Sequence, residues 1–228
     1  MRVIKIFFVC LCCAAFCACA AGGRRAAEPA ASTLSAGAGE DFARKGKEPN
    51  RNYPVFLAGE RASAAFKFNI KYLGRDYNAV LTINKAQDDA FKIKMLADFA
   101  TVVIDADFID GQMRYQYALG NMFDKKALDF FGDIMRVILL PPADFLRSGE
   151  GEAGETRTNY RSGDYLNRYY FKKGLSYPYK LEQIKTIVRK KFLFNNYGVY
   201  GDTVLPARII CEDAHNIVAV TLDLINIK

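Results

Sequence analysis

The chain has 228 residues, 51% apolar and 25% charged, with 17 Gly, 7 Pro and a formal charge of +7. That apolar content excludes a wholly disordered protein, because burying it offsets the entropy of ordering the chain. There is one histidine, His215, and of the six cysteines only Cys211 lies beyond residue 19. A disulfide framework and most histidine-based metal centres are thereby excluded.

Arg2 and Lys5 precede an apolar run from Ile6 to Ala21 that ends in small residues. The run is roughly 16 residues, short of the ~20 that span a bilayer. This layout predicts a secretory signal peptide over residues 1–18, with a retained anchor helix as the alternative. Phe16-Cys17-Ala18-Cys19 resembles the bacterial lipobox, in which small residues precede the cysteine that is lipidated and becomes the mature N-terminus. Ala18 suits the position before that cysteine, so Cys19 is the expected lipidation site. Cys13 would require cleavage after Cys12, and Cys17 cleavage after bulky Phe16. Residues 20–52 are Ala, Gly, Ser, Arg, Glu and Pro with almost no apolar period, so 19–52 reads as the lipidated N-terminus and a flexible tether. Removing Arg2 and Lys5 leaves 30 basic against 25 acidic residues, a balance of +5. That sign suits anionic head groups. Nucleic acid is not an expected partner, because the basic residues are spread through the strands.

From Ala62 onward strands dominate. Phe66–Tyr72 alternates apolar and polar residues strictly, which puts one face on a core. Gly74-Arg75-Asp76 turns into Tyr77–Lys85, and Gln87-Asp88-Asp89 turns into Phe91–Met95. Thr101–Ile109 and Gln112–Leu119 flank Asp110-Gly111, a two-residue hairpin signal. These five strands predict an antiparallel meander. Asp124 then caps a helix in which Ala127, Leu128, Phe131, Ile134, Met135 and Ile138 recur at helical spacing, until Pro141-Pro142 stops it. Residues 147–164 read as a mobile polar loop. Strands resume at Tyr165–Lys172, Tyr177–Thr186, Val188–Asn195, Pro206–Glu212 and Ile217–Asn226, about ten in all. The expectation is one antiparallel α+β domain over 53–228.

The order of these parts resembles the LolA/LolB family of bacterial lipoprotein carriers and receptors. Its most specific stretch is Phe91-Lys92-Ile93-Lys94-Met95-Leu96-Ala97-Asp98-Phe99-Ala100-Thr101-Val102, similar to the receptor's strand–loop–strand. Phe192-Leu193-Phe194-Asn195-Asn196-Tyr197 and Leu205-Pro206-Ala207-Arg208-Ile209 resemble the family's aromatic strand and its Leu-Pro-x-x-Ile strand. The chain departs from the family in lacking tryptophan, in carrying Asp98 where proline is frequent, and in the polar stretch 147–164. The resemblance implies a strongly curved antiparallel sheet forming an unclosed β-barrel, with a helical plug over its concave face and an apolar cavity between them for acyl chains. It implies a lipid-anchored, monomeric protein of the bacterial outer membrane, periplasm-facing, taking lipoprotein or lipid cargo from a periplasmic carrier and using no cofactor. Ala20 after Cys19 is not the aspartate that marks inner-membrane retention.

Alternation along the strands places Phe66, Phe68, Ile70, Leu81, Ile83, Phe91, Ile93, Met95, Ile104 and Phe108 in the inward register, with Val218, Val220 and Leu222 of the last strand. They are the expected acyl-chain lining, and they would equally build a packed core beneath the helix. Leu96 and Phe99 mark a loop expected to insert into the bilayer or a partner, or to pack on a neighbouring loop. Arg61, Lys67, Lys71, Lys92, Lys94, Lys190 and Lys191 are assigned to the outward register. Asp105 and Asp107 sit two apart on one strand face, the spacing from which a glycosidase pair could start, but no Gly-rich phosphate loop, Ser elbow or Cys-x-x-Cys accompanies them. A non-enzymatic acyl-chain binder is therefore expected, against a surface lipoprotein that uses the same fold to bind proteins.

Overall fold

The computed structural model describes residues 48–228 except Leu73, Asp88, Asp89, Asp98, Phe99, Asn121, Met122, Glu152, Ala153, Ile187 and 215–217. The signal peptide, Cys19, most of the tether, Phe99 and His215 lie outside the described residues. β1 (Ser63–Tyr72), β2 (Arg75–Gln87), β3 (Ala90–Leu96), β4 (Val102–Ile109) and β5 (Gln112–Ala118) form the expected meander. Asp110 and Gly111 both take positive φ (53° and 73°), the geometry that a tight β4–β5 hairpin demands.

α1 (Lys125–Leu139) follows. Asp124 caps it, one carboxylate oxygen accepting from Ala127 N at 2.8 Å and the other from Tyr72 OH at 3.0 Å. Its buried residues include Phe130, Phe131, Ile134, Met135, Val137 and Ile138, more than one stripe. A helix covered on so many sides is one that a sheet has wrapped.

The stretch read as a polar loop is instead a hairpin, β6 (Asp144–Glu150) and β7 (Thr156–Ser162). Thr156, Thr158 and Tyr160 carry the strand alternation there, and Thr158 and Tyr160 are fully buried. Threonine counts as polar in a hydropathy reading, although its branched Cβ favours strands. β8 (Tyr165–Phe171), β9 (Lys180–Lys185), β10 (Val188–Tyr200), β11 (Thr203–Asp213) and β12 (Val218–Ile227) complete twelve strands rather than about ten.

All twelve join one antiparallel sheet in the order β5-β4-β3-β2-β1-β12-β11-β10-β9-β8-β7-β6, with β5 and β6 as free edges. At ~4.8 Å per strand, β5 and β8 would stand roughly 43 Å apart in a flat sheet. Yet both touch α1: Tyr115 OH of β5 donates to Leu128 O at 2.8 Å, and Tyr165 OH of β8 donates to Asp133 Oδ2 at 3.1 Å. A helix is only about 10–12 Å across, so the sheet curls around it as an unclosed barrel. Register shifts at Ala65/Phe66, Lys85/Gln87, Met95/Leu96 and Asp105/Ala106 supply local bends. The core lies between the concave face and α1, with Phe68 edge-on to Phe131 at 5.8 Å.

Candidate functional site: a cleft at the barrel mouth

Between β5 and the β8–β9 side of the curled sheet lies a cleft of about 800 Å³. Its walls are β5 and the β4–β5 turn on one side and the β7–β8 turn with β8 and β9 on the other; α1 and Pro141-Pro142 form its floor. Met113, Leu128, Val137 and Leu140 give the floor and the β5 wall an apolar surface, while Ser162, Asn167 and Gln183 make the opposite wall polar. That volume falls within the span of small-molecule pockets.

The thirteen residues of the expected acyl lining are all buried, and they are brought together as read. Phe66 pairs with Leu81 and Leu224, Phe68 with Leu222, Ile70 with Val220, Leu81 with Met95, Ile83 with Ile93, Phe91 with Phe108, and Met95 with Ile104. They pack beneath α1, and none of them borders the cleft. Leu96 is half-buried at the end of β3. Asp105 pairs with Lys94 at 3.3 Å and Asp107 accepts from Gln116 Nε2 at 2.6 Å, both away from the cleft.

Lys190 is a correction. Instead of facing outward it is 7% exposed and ion-paired with Asp133 of α1, itself 3% exposed. The sequence carries the reason: Lys190 shares parity with Phe192 and Phe194, both buried on the concave face. Its neighbour Lys191 does face outward, toward Glu212. Burial lowers the Lys190 ammonium from the ordinary lysine value, against the opposing pull of Cys211 and Asp129. Lys190 also stands over the rings of Tyr165 (5.4 Å) and Phe130 (5.6 Å). Asp133 accepts from Arg136 and Tyr165 besides, and Arg136 Nε donates to Gly111 O at 2.8 Å, which ties α1 to the β4–β5 turn. Burial raises the Tyr165 phenol and the Tyr115 phenol.

Asn167 and Gln183 extend this buried polar group across the sheet. Gln183 Nε2 donates to Asn167 Oδ1 at 3.3 Å, and Asn167 Nδ2 donates to Ser162 Oγ at 3.2 Å. Gln183 Oε1 is buried without a partner. A buried acceptor left unmade costs about 1–3 kcal/mol. Residue-by-residue reading missed these groups, although parity with Leu181 for Gln183, and with Tyr169 and Phe171 for Asn167, assigns them inward.

The segment from Glu48 to Leu57 packs against the β7–β8 half and the end of α1, so contacts with the body begin inside the stretch expected as tether. Tyr53 meets the rings of Tyr160, Tyr169 and Phe171 edge-on at 4.8–6.1 Å. Its OH lies 2.5 Å from Tyr160 OH, which donates to Glu48 Oε1 at 2.9 Å. Arg51 stacks on Phe171 and donates to Leu175 O, and Phe56 N donates to Ile138 O at 2.9 Å. Burial foremost pushes the Tyr160 phenol up to about 12.

No protein-family model matches the chain, and no curated protein matches it. Among solved structures, the chain is similar to a LolA superfamily protein from Nitrosomonas europaea, at 13% identity and a TM-score of 0.48, covering 76% of this chain and 88% of that one. It is similar at 12% identity and a TM-score of 0.44 to a domain proposed for outer membrane lipoprotein sorting from Vibrio parahaemolyticus, covering 74% of this chain and 84% of that one. A DUF1329 family protein from Desulfovibrio piger is similar at 9% identity and a TM-score of 0.44, covering 75% of this chain and 86% of that one.

Proposed function

We propose that the protein is a lipid-anchored, non-enzymatic binder that holds the alkyl chain of a lipid or lipoprotein in the mouth of its half-barrel and helps place that cargo in the bacterial outer membrane. The observation that carries this reading is the cleft between β5 and the β8–β9 side of the curled sheet, with Met113, Leu128, Val137 and Leu140 offering an apolar bed. Each CH₂ moved there from water contributes ~0.8 kcal/mol, so a few carbons give useful affinity. The thirteen core residues form a second, deeper lining, open to a chain only where α1 lifts from Phe68 and its neighbours. The lipobox-like Cys19 and the tether support the anchor and its place in the envelope, and a periplasmic carrier is the natural donor of cargo.

Binding of a fluorescent fatty acid to the purified protein tests the cleft. Met113→Glu and Leu140→Glu each put a charge on the apolar bed at a half-buried position. Each is expected to weaken binding at least about tenfold, equivalent to about 1.4 kcal/mol. If the unaltered protein binds no acyl probe, cargo handling falls and a protein-interaction module takes its place.

A further inference from the structure

Three of the buried polar side chains form a row on the concave face. Asn167 on β8 stands opposite Gln183 on β9, which stands opposite Lys190 on β10, so three polar side chains lie side by side on adjacent strands. They are 5%, 3% and 7% exposed, and Asp133 of α1 closes over Lys190. Every polar end but one is used. Lys190 holds Asp133, Ser162 and Asn167 hold each other, and Gln183 Nε2 holds Asn167, which leaves Gln183 Oε1 without a partner beside the cleft that Gln183 lines. The two amides can also reverse together, Asn167 then donating to Gln183 and accepting from Ser162. In that arrangement the open end of Gln183 is a donor instead of an acceptor. The row thus presents one hydrogen-bonding position of either polarity, and a hydroxyl group, which both donates and accepts, satisfies it in either state.

The surrounding charges argue for an uncharged group. Lys190 lies on one side of Gln183, while Asp133 and Asp129 belong to the helix above, so neither an anion nor a cation is favoured at the row. The nearby cations are held by protein: Lys185 by Asp164 at 3.0 Å, Lys190 by Asp133, and Arg136 by Asp133 and Gly111 O. On the reading of the cleft as an alkyl site, we propose that Gln183, positioned by Asn167, seats an uncharged hydroxyl-bearing head group of the acylglycerol kind. The alkyl chain then lies along Met113, Leu128, Val137 and Leu140.

The test is displacement of the fluorescent fatty acid from the full chain by four ligands of one chain length: monomyristoylglycerol, methyl myristate, myristate and a tetradecyl trimethylammonium salt. Monomyristoylglycerol is expected to bind roughly three- to tenfold more tightly than methyl myristate, the span of one neutral hydrogen bond. Gln183→Met, and the double variant Asn167→Leu with Gln183→Met that leaves no amide unpaired, should erase that preference, the two neutral ligands then binding each variant alike. Equal binding of the two neutral ligands, stronger binding of the anion or the cation, or a preference that survives in both variants overturns the head-group seat alone. In those cases an ordered water satisfies Gln183. If no alkyl ligand displaces the probe, the cleft reading falls and takes this proposal with it.

Discussion

At the residue scale, the pairing of Lys190 with Asp133 fixes how the helix sits in the barrel. Both charges are withdrawn from water, and such a pair is worth little against a well-packed apolar pair, yet removing one partner strands the other. Asp133→Ala should therefore cost about 3–5 kcal/mol in urea unfolding, because Lys190 is left charged and buried. The double variant Asp133→Leu with Lys190→Met should lie close to the unaltered protein. A single variant no less stable than the double one would mean that water reaches Lys190. The same pair explains why the outward assignment of Lys190 fails. A lysine within Arg189-Lys190-Lys191 reads as surface by type, whereas its place two residues before Phe192 reads as interior by parity. Strand geometry outweighs residue type here because α1 brings a carboxylate to the spot.

At the element scale, two segments decide the interior. α1 is legible in the sequence from its cap at Asp124, its apolar period and the Pro-Pro stop. Its polar member Asp133 and its glycine at 132 interrupt that period for tertiary reasons. A Cβ at Gly132 would stand 3.3 Å from Met113 Cγ, so the glycine lets the helix approach β5. The strap from Glu48 to Leu57 is the less legible of the two, since Glu48-Pro49-Asn50-Arg51-Asn52 has the composition of a linker. The rings of Tyr160, Tyr169 and Phe171 on the concave face give Tyr53 its place to dock. Tyr53→Ala removes three edge-on contacts and a hydrogen bond, and should cost about 2–4 kcal/mol. Limited proteolysis should then cut near residue 50 faster than in the unaltered protein. Unchanged cleavage would show that the strap is held by Arg51 and Phe56 instead.

At the scale of the whole molecule, the proposed anchor and the proposed cleft make separable demands. Cys19→Ser should abolish incorporation of labelled palmitate and move the protein out of the membrane fraction, while leaving acyl-probe binding intact. Palmitate retained in that variant would reassign the anchor to Cys17 or Cys13. Strand alternation, the Asp110-Gly111 turn and the helix cap are local signals carried by neighbouring residues, so sequence alone determined the meander, α1 and the thirteen-residue apolar face. The β6–β7 hairpin escaped that reading because Thr156 and the buried Thr158 count as polar. Where the void lies was decided only by the tertiary structure. The sheet curls until β5 and β8 both meet one helix, and that helix packs onto the apolar face of the expected lining. The remaining space falls at the mouth, beside groups that are far apart in sequence. An opening of this kind is a property of sheet curvature and helix volume together, and no single stretch of chain encodes either sum.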